Sequence, residues 1–308
     1  MASILSKTKI ATALGGRPPV AVELSPEGVL AAALPTSGQP PVYAFQSLPP
    51  GALIPAIAEP NLRAPEAVAA AIHTALAQVS PRTRNVTLIL PDTLVRVFVL
   101  DFDSMPSKPA EALPILRFRL RKMVPFDVEH AGVSYQVLSE SKSECKVLAV
   151  VIPGPILAEY EAAVRAAGYE PGSVLSTCLA ALQAGDAAGT LEAVLGANLS
   201  TNALTTFIVN GQDLLLYRTL DLPDESALRL DEVQRGIAVA SAYFEDKLLA
   251  RPSRLHYAGI GDAQTFARLI GDPGLSVVDL APRSEIGAAT SLGNTSIAGV
   301  VGALAGAR

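Results

Sequence analysis

The sequence predicts a duplicated α/β fold, two mixed sheets facing each other across a cleft, with a small α+β insertion in the first half. Three observations carry this expectation. A three-strand meander followed by helices occurs twice, the second copy roughly 175 residues after the first. The chain has 308 residues, half of them apolar and 17% charged. That is enough apolar material for two cores, and two domains is what the length suggests at about 150 residues each. Between the meanders, the block Thr93–Ile152 carries helix and strand signals of its own.

Residues 1–19 read as a flexible leader of small residues with Lys7 and Lys9, leaving through Gly15-Gly16-Arg17-Pro18-Pro19. Val20–Glu23, Val29–Leu34 and Val42–Ser47 read as strands. The turn Ser25-Pro26-Glu27-Gly28 separates the first two, with proline presetting φ and glycine permitting positive φ. A Pro-rich connection leads to a helix over Ala64–Val79, where Val68, Ile72, Leu76 and Val79 recur at helical spacing. Val86–Leu90 is an apolar strand ended by Pro91-Asp92.

The insertion opens with a strand, Val95–Leu100. A helix follows, with Leu113, Leu116, Leu120 and Met123 on one face and Arg117, Arg119, Arg121 and Lys122 on the other. Pro114 is expected in its first turn or at its start, where a missing N–H costs nothing. Gly132–Leu138 and Lys146–Ile152 read as two further strands. A helix begins at Pro155, with Leu157, Tyr160 and Val164 on one face and Gly168 as its stop. A short strand, Ser173–Leu175, and a helix around Cys178–Ala184 close the first half, 20–190.

The second half, 191–308, repeats the meander as Ala193–Asn198, Leu204–Val209 and Leu214–Thr219. Asn210-Gly211 between the last two is a strong hairpin signal. A helix over Asp224–Leu249 follows, with Val233, Ile237, Ala240 and Phe244 at helical spacing. Arg254–Tyr257 is a strand, Ala258–Gly261 a turn, and Ala263–Ile270 and Ile297–Leu304 are helices.

Composition excludes several classes. With 24 basic and 29 acidic residues the net charge is −5, which is unsuited to wrapping nucleic acid. Two cysteines, Cys145 and Cys178, make no disulfide framework and fit a reducing compartment. The scattered histidines and cysteines give no zinc motif. The apolar run Ile297–Ala307 is about half the length needed to span a bilayer. The chain is therefore expected to be soluble and cytoplasmic.

Three stretches carry a family resemblance. They are Leu116–Phe126 with Val133–Leu138, the segment Ile156–Leu182 with Ala167-Gly168-Tyr169 and Leu179-Ala180, and Asn210-Gly211 through Tyr217-Arg218. In this order they resemble the PilM family of type IV pilus assembly, within the actin-like ATPase superfamily. The likeness covers nearly everything after Pro19. The cytoplasmic domain of the related type II secretion platform is similar as well. The resemblance implies an actin-like (RNase H-like) duplicated fold. It also implies a cytoplasmic scaffold at the inner face of the inner membrane, which binds the N-terminal cytoplasmic tail of a PilN-like partner.

In that superfamily two hairpins clamp the nucleotide phosphates, with glycines that let backbone N–H groups approach and an Asp for Mg²⁺ or water. By the resemblance, the first hairpin has Glu23 at the Asp position and Ser25 at the glycine. Pro26 removes a donor there and Glu27 adds negative charge. The second has Asn198 at the Asp position, then Ser200 and Thr201. Gly259 and Gly261 form the adenine-side turn, shorter than the usual glycine-rich run. The expected cofactor is accordingly none, or weakly bound ATP with Mg, and the site is read as degenerate. The competing class, an active ATPase or sugar kinase, requires carboxylates at both hairpins and a glycine at each close approach. The sequence supplies one Glu and no such glycine pair.

The partner tail is expected between the first half and its insertion, at Arg96, Val97, Tyr135 and Val137. Val95, Val99 and Val133 offer further apolar surface there. The insertion's basic helix face is read as solvated, with an acidic partner or an anionic membrane as the competing reading. Cys145, Cys178, His73 and His256 are read as structural, and Asp101 and Asp103 as a solvated loop.

Overall fold

The computed structural model describes residues 17–35, 39–141, 143–184, 193–211, 213–281, 292 and 294–307. The expected leader lies outside these except for Arg17–Pro19, and so does the expected boundary at 190/191.

The first meander is β1 (Val20–Ser25), β2 (Gly28–Ala33) and β3 (Val42–Ser47), all antiparallel. Helix α1 (Pro65–Gln78) returns the chain to β4 (Asn85–Leu90), which pairs parallel with β1. A single 3-10 turn, Asp92–Leu94, leads into the insertion: β5 (Arg96–Phe102), α2 (Pro109–Leu120), β6 (Gly132–Glu140) and β7 (Cys145–Ile152). Helix α3 (Gly154–Ala166) then leads to β8 (Glu170–Ser176), parallel to β4, and to α4 (Thr177–Ala181).

The second half repeats this plan. β9 (Val194–Leu199), β10 (Ala203–Asn210) and β11 (Asp213–Asp221) form the meander. After α5 (Ser226–Leu248), β12 (Arg254–Tyr257) pairs parallel with β9. After α6 (Ala263–Ile270), β13 (Ser276–Asp279) pairs parallel with β12, and α7 (Ala298–Ala305) ends the fold. The sheet orders are β3-β2-β1-β4-β8 and β11-β10-β9-β12-β13, the same order twice.

Alternation assigns the faces. Val20, Val22 and Leu24 of β1 pack in one core with α1 and α3, while Ala21 belongs to another on the opposite side. In β9, Leu195 and Ala197 face α5 and α6, and Val194 faces inward. Helices α4 and α7 fill the space between the two inner faces. Ala180 and Val300 pack on the first sheet, and Cys178 and Ala298 sit with Val194 and Phe207 of the second. Thus α7, which the 191–308 boundary assigns to the second half, lies against the first sheet. It is also the apolar run weighed above as a membrane segment. Its hydrophobicity serves burial between sheets, and among the described residues no helix is long and apolar enough to cross a membrane.

The insertion differs from expectation in three ways. First, α2 starts at Pro109, so Pro114 lies inside it, neither at its start nor in its first turn. Pro109 takes the donor-free first position, and Pro114 forgoes one helical bond on the exposed side. Second, the buried row is Ala112, Leu116 and Leu120, while Met123 is exposed. Third, β5 and β6, expected to share one partner site, flank β7 on opposite sides. Cys145, Val147, Ala149 and Val151 of β7 face α2. The other face, with Leu148 and Val97, packs with Phe207 and Leu214 of the second half as well as with the first core. The insertion is therefore wedged between the halves, not seated on the first alone. Strand β13 escaped sequence reading, because four residues, Ser276-Val277-Val278-Asp279, are too few to show a period.

Candidate functional site

The site builds from the two hairpin tips, which the duplication places opposite each other. Ser25 Oγ accepts the Gly28 N–H at 3.3 Å, and Ser200 Oγ accepts the Ala203 N–H at 3.0 Å. Each serine thus closes its own turn, at equivalent positions of the two copies. Across the gap, Thr201 Oγ1 donates to Glu27 Oε1, so the tips touch.

Beneath the first tip, Glu23 is buried, at 7% exposure. Thr177, the first residue of α4, donates from Oγ1 to Glu23 Oε1 at 2.9 Å. Among the described residues Glu23 Oε2 has no hydrogen-bond partner; it lies against Gly299 of α7, where a Cβ would come within 2.4 Å of it. Burial pushes this carboxyl up to about 8; the Thr177 bond opposes the shift, and the charges of Asp92 and Glu27 add to it.

Asp92 is the hub. Its Oδ1 accepts the Cys178 N–H at 2.9 Å and faces the Tyr217 hydroxyl at 3.4 Å. Its Oδ2 accepts from Asn198 Nδ2 at 2.8 Å and from Thr205 Oγ1 at 3.0 Å. Thr205 stands opposite Asn198 in the β9–β10 ladder, and Thr219 opposite Thr205 in the next. One carboxyl from the first half is therefore held by the α4 N-terminus and by three side chains of the second. Burial raises its pKa and these bonds oppose the rise.

The third turn is equally engaged. The Ile260 N–H donates to Leu199 O at 2.8 Å and the Gly261 N–H to Asn294 O at 2.9 Å. A Cβ on Gly259 would lie 2.4 Å from the Leu199 nitrogen, so this glycine admits backbone packing. Gly261 has φ +80°, which glycine tolerates at no steric cost.

These residues do not fit ATP with Mg as they stand. A phosphate needs free backbone N–H groups and a cation needs exposed carboxylate oxygens. Here the N–H groups of Gly28, Ser200, Ala203, Ile260 and Gly261 bond within the protein, Asn198 turns its amide to Asp92, and Asp92 already accepts from several donors.

The residues expected at the partner site are not brought together. Arg96 and Val97 lie on β5, and Tyr135 and Val137 on β6, with β7 between them. Register puts Val97 on the face of Val150, and Tyr135 on the opposite face with Ala149, toward α2. Val95 is buried, Val99 faces the second half and Val133 faces α2. Arg96 Nη1 donates to Thr93 O at 2.8 Å. Cys145 and Cys178 are buried core residues. His73 Nδ1 lies 3.1 Å from Ala167 O, His256 is half-buried in β12, and Asp101 and Asp103 are exposed.

Sequence reading missed Asp92, Thr177, Thr205 and Tyr217 as site residues. The signal for Thr205 was present: the hairpin register puts it opposite Asn198. Asp92 showed only as the residue that ends a strand.

The fold defined by these two sheets is the duplicated actin-like one. Among solved structures, PilM in the "PilM-PilN type IV pilus biogenesis complex" is similar, with a TM-score of 0.69 at 18% identity, covering 94% of this chain and 99% of that one. The cytoplasmic domain of EpsL, an inner-membrane component of the type II secretion system of Vibrio cholerae, is similar at TM-score 0.51 and 14% identity, covering 93% and 92%. At these identities the likeness is one of fold. No protein-family model and no curated protein matches the sequence.

Proposed function

We propose that this chain is a non-catalytic actin-like scaffold of a type IV pilus inner-membrane assembly platform. It sits on the cytoplasmic face of the inner membrane and binds the N-terminal cytoplasmic tail of a PilN-like membrane partner. The observation that carries this reading is the fold likeness to PilM over nearly the whole of both chains. The hairpins support it, because the N–H groups of Gly28 and Ala203 are spent on closing their own turns, while Thr201 and Asn198 bond across to Glu27 and Asp92. Strand β6 supports it too: among the described residues it pairs only with β7, so its outer edge can accept an extended peptide as a further strand. The test is calorimetry with a synthetic peptide of the cytoplasmic N-terminus of the PilN-like protein from the same organism. Saturable binding, weakened by Val137→Lys on the β6 edge, is expected. Absence of saturable binding overturns the reading.

A further inference from the structure

The outer face of α2 carries features that neither the core nor the hairpins use. Its buried row, Ala112, Leu116 and Leu120, faces the insertion sheet. Three large apolar side chains point the other way: Ile115 at 40% exposure, Phe118 at 70%, and Met123 just past the helix at 40%.

The four basic residues of this segment divide by what they touch. Arg117 donates to the carbonyls of Val128, Glu129 and Ala131, tying α2 to the following loop. Arg121 pairs with Glu129. Arg119 and Lys122 are exposed, with no acidic partner among the described residues. Ile115, Phe118 and Arg119 stand at i, i+3 and i+4, one helical face, and Lys122 follows in the turn just past the helix end. The nearby acids are engaged elsewhere: Glu111 with Lys108 at 3.3 Å, Asp127 with His130, and Glu129 with Arg121.

We infer that this face of α2 is a contact surface for the anionic headgroups of a lipid bilayer, with Phe118 and Ile115 entering the interface and Arg119 and Lys122 meeting phosphates. Charge complementarity selects the occupant. The chain as a whole is at −5, so the attraction is local to this patch. Shape selects the bilayer over a peptide. Every side chain of the core under α2 comes from residues 98–151, so α2 is an outer layer that presents a convex ridge and not a groove.

The contact is weak by construction. Each basic residue near an anionic surface contributes about a fivefold gain in partitioning. A single short apolar anchor holds a protein only marginally. The face therefore orients a protein already brought to the membrane by another attachment, as a second, linked contact does. This inference goes beyond the peptide reading and does not depend on it, since vesicles contain no partner.

The chain has no tryptophan, so Phe118→Trp supplies a sole reporter at an exposed position. Its emission is to be followed on titration with phosphatidylglycerol-containing vesicles and with pure phosphatidylcholine vesicles. Leu228→Trp, exposed at 51% on α5, serves as the reporter away from the patch. The expected result is a shift to shorter wavelength for Phe118→Trp with anionic vesicles only, reversed by high salt. Adding Arg119→Glu and Lys122→Glu should weaken partitioning by about 30-fold or more. Circular dichroism confirms that the variants are folded. No shift with anionic vesicles, an equal shift with neutral ones, an equal shift of Leu228→Trp, or indifference to the charge reversal overturns the proposal. A shift produced by an acidic peptide and not by vesicles overturns it in favour of a protein partner.

Discussion

Glu23 and Asn198 occupy equivalent places in the two meanders, and neither offers an anion to the cleft. Asn198 is neutral by constitution. Glu23 is neutral by environment, since burial raises its carboxyl from 4.5 to about 8. The linkage sign follows. Between these values the folded chain keeps the proton that the unfolded chain releases, so stability falls as pH rises through that window and levels off above it. Glu23→Gln, which keeps the shape without the charge, should flatten the profile by up to about 1.4 kcal/mol per pH unit. The variant should match the wild type near pH 4 and exceed it near pH 9 in denaturant titrations. It keeps the part of the slope that belongs to Asp92, whose carboxyl burial also raises. A wild-type profile rising through this window would contradict the assignment. The hairpin residues were legible because a repeated turn marks them. Asp92 was not, because its donors lie 86 to 125 residues further along the chain.

At the scale of elements, α1, α3, α5 and α6 were readable because each buries one face at a regular period, and the first two strands of each meander because they are short apolar runs, buried on both faces, between turn residues. The short helices between the sheets were readable as helices but not in their placement. α4 and α7 are apolar nearly all round, and a helix with no polar face does not say what it packs against. The glycines of α7 answer that question. A Cβ on Gly302 would sit 1.9 Å from the carbonyl oxygen of Ala180 in α4. Two effects oppose each other in Gly302→Ala. Helix propensity favours alanine by about 1 kcal/mol. Overlap with a backbone atom that cannot rotate away costs about 1–3 kcal/mol or more. The overlap should win, with the variant less stable than wild type by thermal and denaturant unfolding. A stabilised variant would mean that α4 and α7 are not in close contact.

At the scale of the whole molecule, the duplication was legible because both copies keep the order of three antiparallel strands and then a parallel one. The closure of the space between them was not. Sequence predicts two sheets across a cleft; the structure fills that cleft with α4, α7, the inner face of the insertion and the Asp92 network, and joins its rim through Glu27 and Thr201. This arrangement sets the expectation for nucleotide. For ATP to reach the hairpins, the Glu27–Thr201 contact must open, the donors Gly28 N–H and Ala203 N–H must leave Ser25 and Ser200, and a cation must compete with Asn198 and Thr205 for Asp92. Stripping donors from a buried carboxylate costs several kcal/mol, because the charge is left without compensation. Mg²⁺ finds no anion at Glu23 while that carboxyl is protonated, and none at Asn198. Calorimetric titration with ATP and Mg should therefore show no saturable binding tighter than about 1 mM, a free energy of about −4 kcal/mol. Glu27→Ala, which releases the rim and removes a negative charge, should not restore binding if the Asp92 network is the main obstacle. A micromolar isotherm with the wild-type chain would show that the closed cleft opens readily, and would return the protein to the nucleotide-binding class of its fold.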